Sequence, residues 1–203
     1  VRLAAQVIAC IRDEKKDIYG KMQKLMQEEG TSLEQLEEEL KDKMKKLYLP
    51  QPDEKTGIIP QFDGYFDLKE IDLSVYKNAS VVGTIFHDYS GEDVQKMQAG
   101  KQADIVELLY QMEDITTPDN KAKNYVYYEA RTLHDSSLSK AIHSITACDL
   151  GMEKEAYEMF MSAALTDLGQ EMKSSDAGIH SANMGGVWQD VVMGFGGVRI
   201  HDG

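Results

Sequence analysis

The chain has 203 residues and a formal net charge of -13; 42% of its residues are hydrophobic and 28% are charged. That is long and apolar enough for one folded domain with a sizeable core, and excludes a disordered tail. The acidic balance opposes binding to a nucleic-acid backbone because no basic patch offsets it, and no apolar run approaches the roughly 18 residues of a membrane-spanning helix.

Leu3, Val7, Ile8 and Ile11 recur at helical spacing, and Thr31 with Glu34 makes a capping-box pattern that starts a second helix. Residues 1–48 therefore read as a helical hairpin. Between Arg12 and Lys46 both charge signs recur at helical spacing, as on a solvated helix face. The region 49–90 reads as a long loop holding three of the four prolines. Its aromatic pair Tyr65-Phe66 stands near Gln61, Asp63 and Asp67, which suits either cover over the core or a cleft wall. Only Val81–His87 looks strand-like. From 91 to 203 the pattern is helical: Ile105, Leu108, Leu109 and Met112 form a stripe to bury. Further helices are predicted over about 118–130, 138–150, 152–168 and 179–195, with Gly151, Gly169 and Gly178 as stops. The fold class is all-α, and periodicity alone does not separate a toroid from a bundle. Cys10 and Cys148 lie in apolar helical contexts without zinc or redox spacing, which predicts buried free thiols in a reducing compartment, the cytoplasm.

Two places can carry chemistry. In His134-Asp135-Ser136-Ser137-Leu138-Ser139 the hydroxyls precede the apolar spacing Leu138, Ile142, Ile145, so they stand at a helix start. Backbone N–H groups are unpaired there and the helix end is partly positive, so the serines either cap the helix or help hold an anion. In Gly178-Ile179-His180 a glycine turn leads into a helix whose first turn holds His180, as a structural histidine or as a ligand. Met184, Trp188 and Phe195 predict the buried face of that helix, while Gly185 and Gly186 cost stability unless a close approach requires them. There is no nucleophile elbow, phosphate-cradling loop or H-E-x-x-H pair. The histidines His87, His134, His143, His180 and His201 lack zinc spacing, so no metal is expected.

Lys101-Gln102-Ala103-Asp104, Tyr127-Tyr128-Glu129, the His134 to Ser139 segment, Gly178-Ile179-His180 and Gly185-Gly186-Val187-Trp188 occur in that order, closed by Gly194-Phe195-Gly196-Gly197. Over about residues 57–200 this chain resembles the disaccharide phosphorylases of glycoside hydrolase family 65. The resemblance implies the C-terminal part of a catalytic (α/α)6 barrel. It further implies an enzyme that cleaves an α-glucosyl disaccharide with inorganic phosphate, inverting the anomeric centre to give β-glucose 1-phosphate and a free sugar. Carried over by position, Ser136, Ser137 and His180 would hold phosphate, and Lys101, Gln102 and Glu129 would contact sugar. Phosphate is the co-substrate, no cofactor is implied, and the full-length enzyme would be a homodimer. One carboxylic acid and an anion site suffice because phosphate is already a nucleophile, whereas an inverting hydrolase needs a second carboxylate to activate water.

Two departures stand out. The family's general acid, a glutamate in a Gly-Pro-Asp-Glu-Tyr-like motif, has no counterpart between Val1 and Gly203, so no catalytic residue is expected here and the isolated chain would be inactive. Ala177 stands where many relatives have an acidic residue. The alternatives are a non-catalytic or truncated carbohydrate-binding homologue, and a trehalose-hydrolysing family member. The serine pair and His180 oppose the hydrolase, since water needs no anion site. The Glu129-Ala130-Arg131 context leans toward the kojibiose side of the family.

Overall fold

A computed structural model of the chain describes residues 1–77, 81–102, 104–169 and 178–199, in two compact units, Val1–Leu49 and Pro50–Gly203. The departure at Ala177 lies outside the described residues. No helix among the described residues is long and apolar enough to cross a membrane.

The first unit holds α1 (Arg2–Glu14), α2 (Lys16–Glu28) and α3 (Leu33–Lys46). Lys15 breaks the expected first helix, its backbone leaving the helical region at φ -129° and ψ 59°. The α3 cap is Ser32 and not Thr31: the Ser32 hydroxyl accepts from the Gln35 N–H at 3.1 Å, and the register that buries Leu33 starts the helix one residue later. The charged face is not wholly solvated. Glu37 is buried, with its two carboxylate oxygens 2.7 and 2.6 Å from an Arg12 guanidinium nitrogen and Lys41 Nζ 2.9 Å away. Cys10 is exposed, contrary to expectation, because α1 turns that side outward, whereas Cys148 is half-buried; both are free.

In the second unit the described residues contain no strand, only isolated bridges at Lys69–Met97 and Gly100–Thr132. The strand-like Val81–His87 is instead a turn through Gly83 (φ 78°) into a 3-10 helix, Thr84–His87. The Gly83 N–H donates to the Asp135 carboxylate at 3.1 Å, so the chain bends where its β-branched residues favour extension. The short helices α4 (Ser74–Lys77) and α5 (Gly91–Val94) flank this turn.

Among the described residues five longer helices and a π-helical turn complete the unit: α6 (Asp104–Gln111), α7 (Pro118–Glu129), α8 (Ser139–Asp149), α9 (Glu153–Ala164) and α10 (Ser181–Gln189), the last continuing through Asp190–Phe195. The α7 start follows from its residues: Thr117 caps it through Asn120 N–H at 3.3 Å, and Pro118 sits where its missing N–H costs nothing.

The long loop covers the core because α7 pins it. Buried Asn124 accepts from Ile59 N–H at 2.8 Å and donates to the Gly57 carbonyl at 3.0 Å, while the Tyr128 hydroxyl donates to the Ile59 carbonyl. Ile58, Ile59 and Tyr65 thereby join Ile105, Val106, Leu109, Tyr125 and Tyr128 in the core. The α8 helix is buried at Ser139 and throughout 141–147. Its hydroxyls are satisfied, Ser144 by the Ala156 carbonyl at 2.7 Å and Thr146 by Ile142 at 2.9 Å. Leu138, read as part of its apolar spacing, is exposed at the entry to the helix.

The face expected to bury α10 is wrong. Met184, Trp188 and Phe195 are all exposed, and the inward residues are Asn183, Asp190 and Gly194. Small residues win because the backbones approach closely: a Cβ on Gly186 would lie 3.0 Å from the Ala141 Cβ, and one on Gly194 would lie 3.4 Å from the Ile145 Cα. A Cβ on Gly185 would meet nothing within 4 Å. Gly185→Ala should therefore stabilise by up to about 1 kcal/mol through helix propensity, while Gly186→Ala should forfeit that gain and destabilise. Urea melts of the two variants check this; equal gains would mean that the α8–α10 approach is not tight.

Candidate functional site

The α8 entrance is built around a strained residue. His134 is the one non-glycine residue with positive φ, 57°, among those described, a backbone conformation that surrounding contacts must impose. Its Nε2 is 3.0 Å from Glu129 Oε2 and its Nδ1 is 3.0 Å from Ser139 Oγ. An ionised carboxylate only accepts, so Nε2 carries the hydrogen and the Ser139 hydroxyl donates to Nδ1.

Glu129 ends α7 and gathers two further donors. Lys77 Nζ lies 2.6 Å from Oε1, and His143 Nδ1 lies 2.5 Å from Oε2. Burial opposes ionisation of Glu129, but the His134 and His143 donors outweigh it and hold the carboxyl below the ordinary carboxylate range. Glu129, His134 and His143 bring ligand atoms within 4.8 Å of one another and so could hold a metal ion. Hydrogen bonds account for the present geometry, and the Lys77 ammonium beside the carboxylate opposes a cation. The nine-residue spacing of the two histidines concealed this cluster: His134 belongs to the turn and His143 to the second turn of α8.

A cleft of about 500 Å³ opens beside the cluster, within the range of small-ligand sites. Its walls include Gln102, Ser137 and Ser139 at the α8 entrance, His143, and Asn183 in the first turn of α10. Of the residues expected to hold phosphate or sugar, Gln102 and Ser137 line this cleft. Lys101 is exposed next to Gln102. Ser136 is buried, its hydroxyl accepting from the Leu138 N–H at 3.3 Å. His180 caps α10 and is held at two points by Asp167, through its N–H at 2.8 Å and its Nδ1 at 2.7 Å, which leaves Nε2 as the ring's remaining polar atom. Glu129 borders a separate groove with Met152, Glu153 and Glu155 and reaches the cleft through His143 and, by way of His134, through Ser139. Lys77, His143, Asp167 and Asn183 were missed in the sequence. None sits in a recognisable local pattern, and each acquires its role through a partner distant along the chain.

Comparisons with known proteins agree with one another. The model of the glycosyl hydrolase family 65 central catalytic domain matches residues 3–189. A kojibiose phosphorylase of Halothermothrix orenii is 44% identical over 200 residues, 98% of this chain and 25% of its own length. The kojibiose phosphorylase of Escherichia coli is 41% identical over 79% of this chain and 21% of its own. The alpha,alpha-trehalose phosphorylase of Thermoanaerobacter brockii is 35% identical over 92% of this chain and 24% of its own. The chain thus spans about a quarter of the length of these curated relatives. A solved structure described as a candidate kojibiose phosphorylase from the human microbiome matches with a TM-score of 0.73 at 29% identity, over 96% of this chain and 29% of that one.

The site also sets a pH dependence. Burial drives His134 from 6.5 down to about 4, against the raising effect of Glu129. The folded protein refuses a proton that the unfolded chain takes, so stability is lost as pH falls from 6.5 toward 4. Asp190 runs the other way. It is fully buried, and burial raises it from 3.8 to about 7; the Ser144 hydroxyl, already donating to Ala156, opposes only weakly. Here the fold keeps a proton that the unfolded chain has released, so stability is lost as pH rises from 3.8 toward 7. Each slope is about 1.4 kcal/mol per pH unit, and the two cancel across their shared window. Asp190→Asn should remove one of them, so its stability relative to the parent should climb with pH by about 1.4 kcal/mol per unit between about pH 4.5 and 6. Urea unfolding across that range checks it; a constant difference would mean that Asp190 is not protonated in the fold.

Proposed function

Because the chain belongs to glycosyl hydrolase family 65 and is part of its (α/α)6 catalytic barrel, we propose that it supplies the phosphate and sugar ligands of a disaccharide phosphorylase. The reaction is phosphorolysis of an α-glucosyl disaccharide with inversion, giving β-glucose 1-phosphate and a free sugar. Kojibiose is the favoured substrate, since two of the relatives described above are kojibiose phosphorylases.

One observation carries this reading: the N-termini of α8 and α10 open on the same cleft, with Gln102 on its wall. Helix N-termini carry partial positive charge, which suits a phosphate dianion and which a water nucleophile does not need. Ser136, Ser137 and His180 are the phosphate ligands, His180 oriented by Asp167. Lys101 and Gln102 meet sugar hydroxyls, and Glu129 serves the sugar side. The acid that protonates the leaving oxygen comes from elsewhere in the catalytic domain, of which this chain is a part. Inorganic phosphate is the co-substrate and no cofactor is required.

The test is phosphate-dependent release of glucose 1-phosphate from a panel of α-glucobioses by the polypeptide that carries this chain. Turnover that requires phosphate, fastest with kojibiose, is expected; hydrolysis without phosphate would sink the reading. In that enzyme His180→Ala should raise the phosphate KM about tenfold to a hundredfold, the loss of one charge-assisted contact, with little change for sugar. Equal effects on both substrates would remove His180 from the phosphate site.

A further inference from the structure

We propose that His143 and Asn183 form a hydroxyl-recognising subsite in the cleft, each accepting an O–H of the sugar. Both line the cleft, at 1% and 4% exposure, and His143 Nε2 and Asn183 Oδ1 have no hydrogen-bond partner among the described residues. Buried polar atoms without partners are rare in native proteins and call for an explanation. The other such atoms, Thr116 Oγ1 and the Asp190 carboxylate oxygens, belong to residues that do not line the cleft.

The chemistry of both orphaned atoms is determined by their neighbours. Asn183 Nδ2 donates to the Ala163 carbonyl at 2.8 Å; a carbonyl cannot donate, so the amide orientation is settled and the atom left over is an acceptor. His143 Nδ1 faces the Glu129 carboxylate at 2.5 Å, so it carries the hydrogen, and in the neutral ring Nε2 is a lone pair. Two acceptors disfavour a phosphate dianion, which has one hydrogen to give against several electron-rich oxygens, whereas each sugar hydroxyl donates. The cleft therefore combines the positive ends of two helices with hydrogen-bond acceptors at His143 and Asn183. Glu129 then acts on the sugar through His143 as a positioning residue, which explains how a carboxylate already holding three donors can influence sugar binding.

The ligand class rests on the phosphorolytic reading, and the experiment separates the two. Calorimetric titration of the enzyme carrying this chain with glucose and its monodeoxy analogues is expected to show one or two analogues binding about threefold to tenfold more weakly, the loss of a neutral hydrogen bond. His143→Asn places an amide N–H where Nδ1 stood, toward Glu129, and removes Nε2; Asn183→Ser removes the other acceptor. Each variant should weaken glucose by that factor and stop discriminating against one analogue, leaving the phosphate KM unchanged. Discrimination that persists in both variants, a phosphate KM that rises with the sugar KM, or a parent that binds no glucose or makes no distinction among analogues overturns the subsite. The parent measurement and Asn183→Ser decide the matter should His143→Asn fail to fold. Discrimination lost in the variants of a parent that performs no phosphorolysis would support the subsite while overturning the proposed reaction.

Discussion

A carboxylate half-buried at the end of a helix needs donors, and that requirement on Glu129 organises the second unit. Lys77 from α4, His134 from the turn and His143 from α8 all converge on its two oxygens. Three separate segments are thereby tied to the end of α7, and the turn between α7 and α8 is held in the left-handed conformation of His134. Half-buried, the charge is costly without those donors, and with them it becomes a fixed point.

From that point the cleft follows. Locking His134 sets where Ser136, Ser137 and Ser139 stand at the α8 entrance, and the bond to His143 turns the ring's other nitrogen away from Glu129. On the far side α10 is drawn close by Gly186 and Gly194, which brings its first turn, with Asn183, onto the same cleft. The tight approach also encloses Asp190 without a partner for either oxygen among the described residues, a local cost that the close packing of α8 against the π-helical turn sustains.

In the proposed site, labour is divided by hydrogen-bond polarity. Helix N-termini supply donors to an anion without burying a full positive charge, and buried acceptors select hydroxyls. A phosphorylase has to hold both kinds of group side by side, and a cleft that offers helix N-termini together with acceptors suits that task.

Much of this was legible along the chain. Hydrophobic period placed α6 to α10 within a few residues, and the order of short motifs from Lys101 to Gly197 pointed to the family, because these features depend on residues close in sequence. Tertiary structure decided the rest. The period of Met184, Trp188 and Phe195 indicated a helix but not its inward face, since glycine packing against Ala141 outweighs the burial of larger side chains. Val81–His87 has strand-like residues, yet Gly83 and a distant Asp135 bend it. His143 and Asn183 are ordinary helix residues in one dimension; what singles them out is an unpaired atom on a shared cleft, a property set by partners 14 to 20 residues away and therefore invisible until the chain has folded.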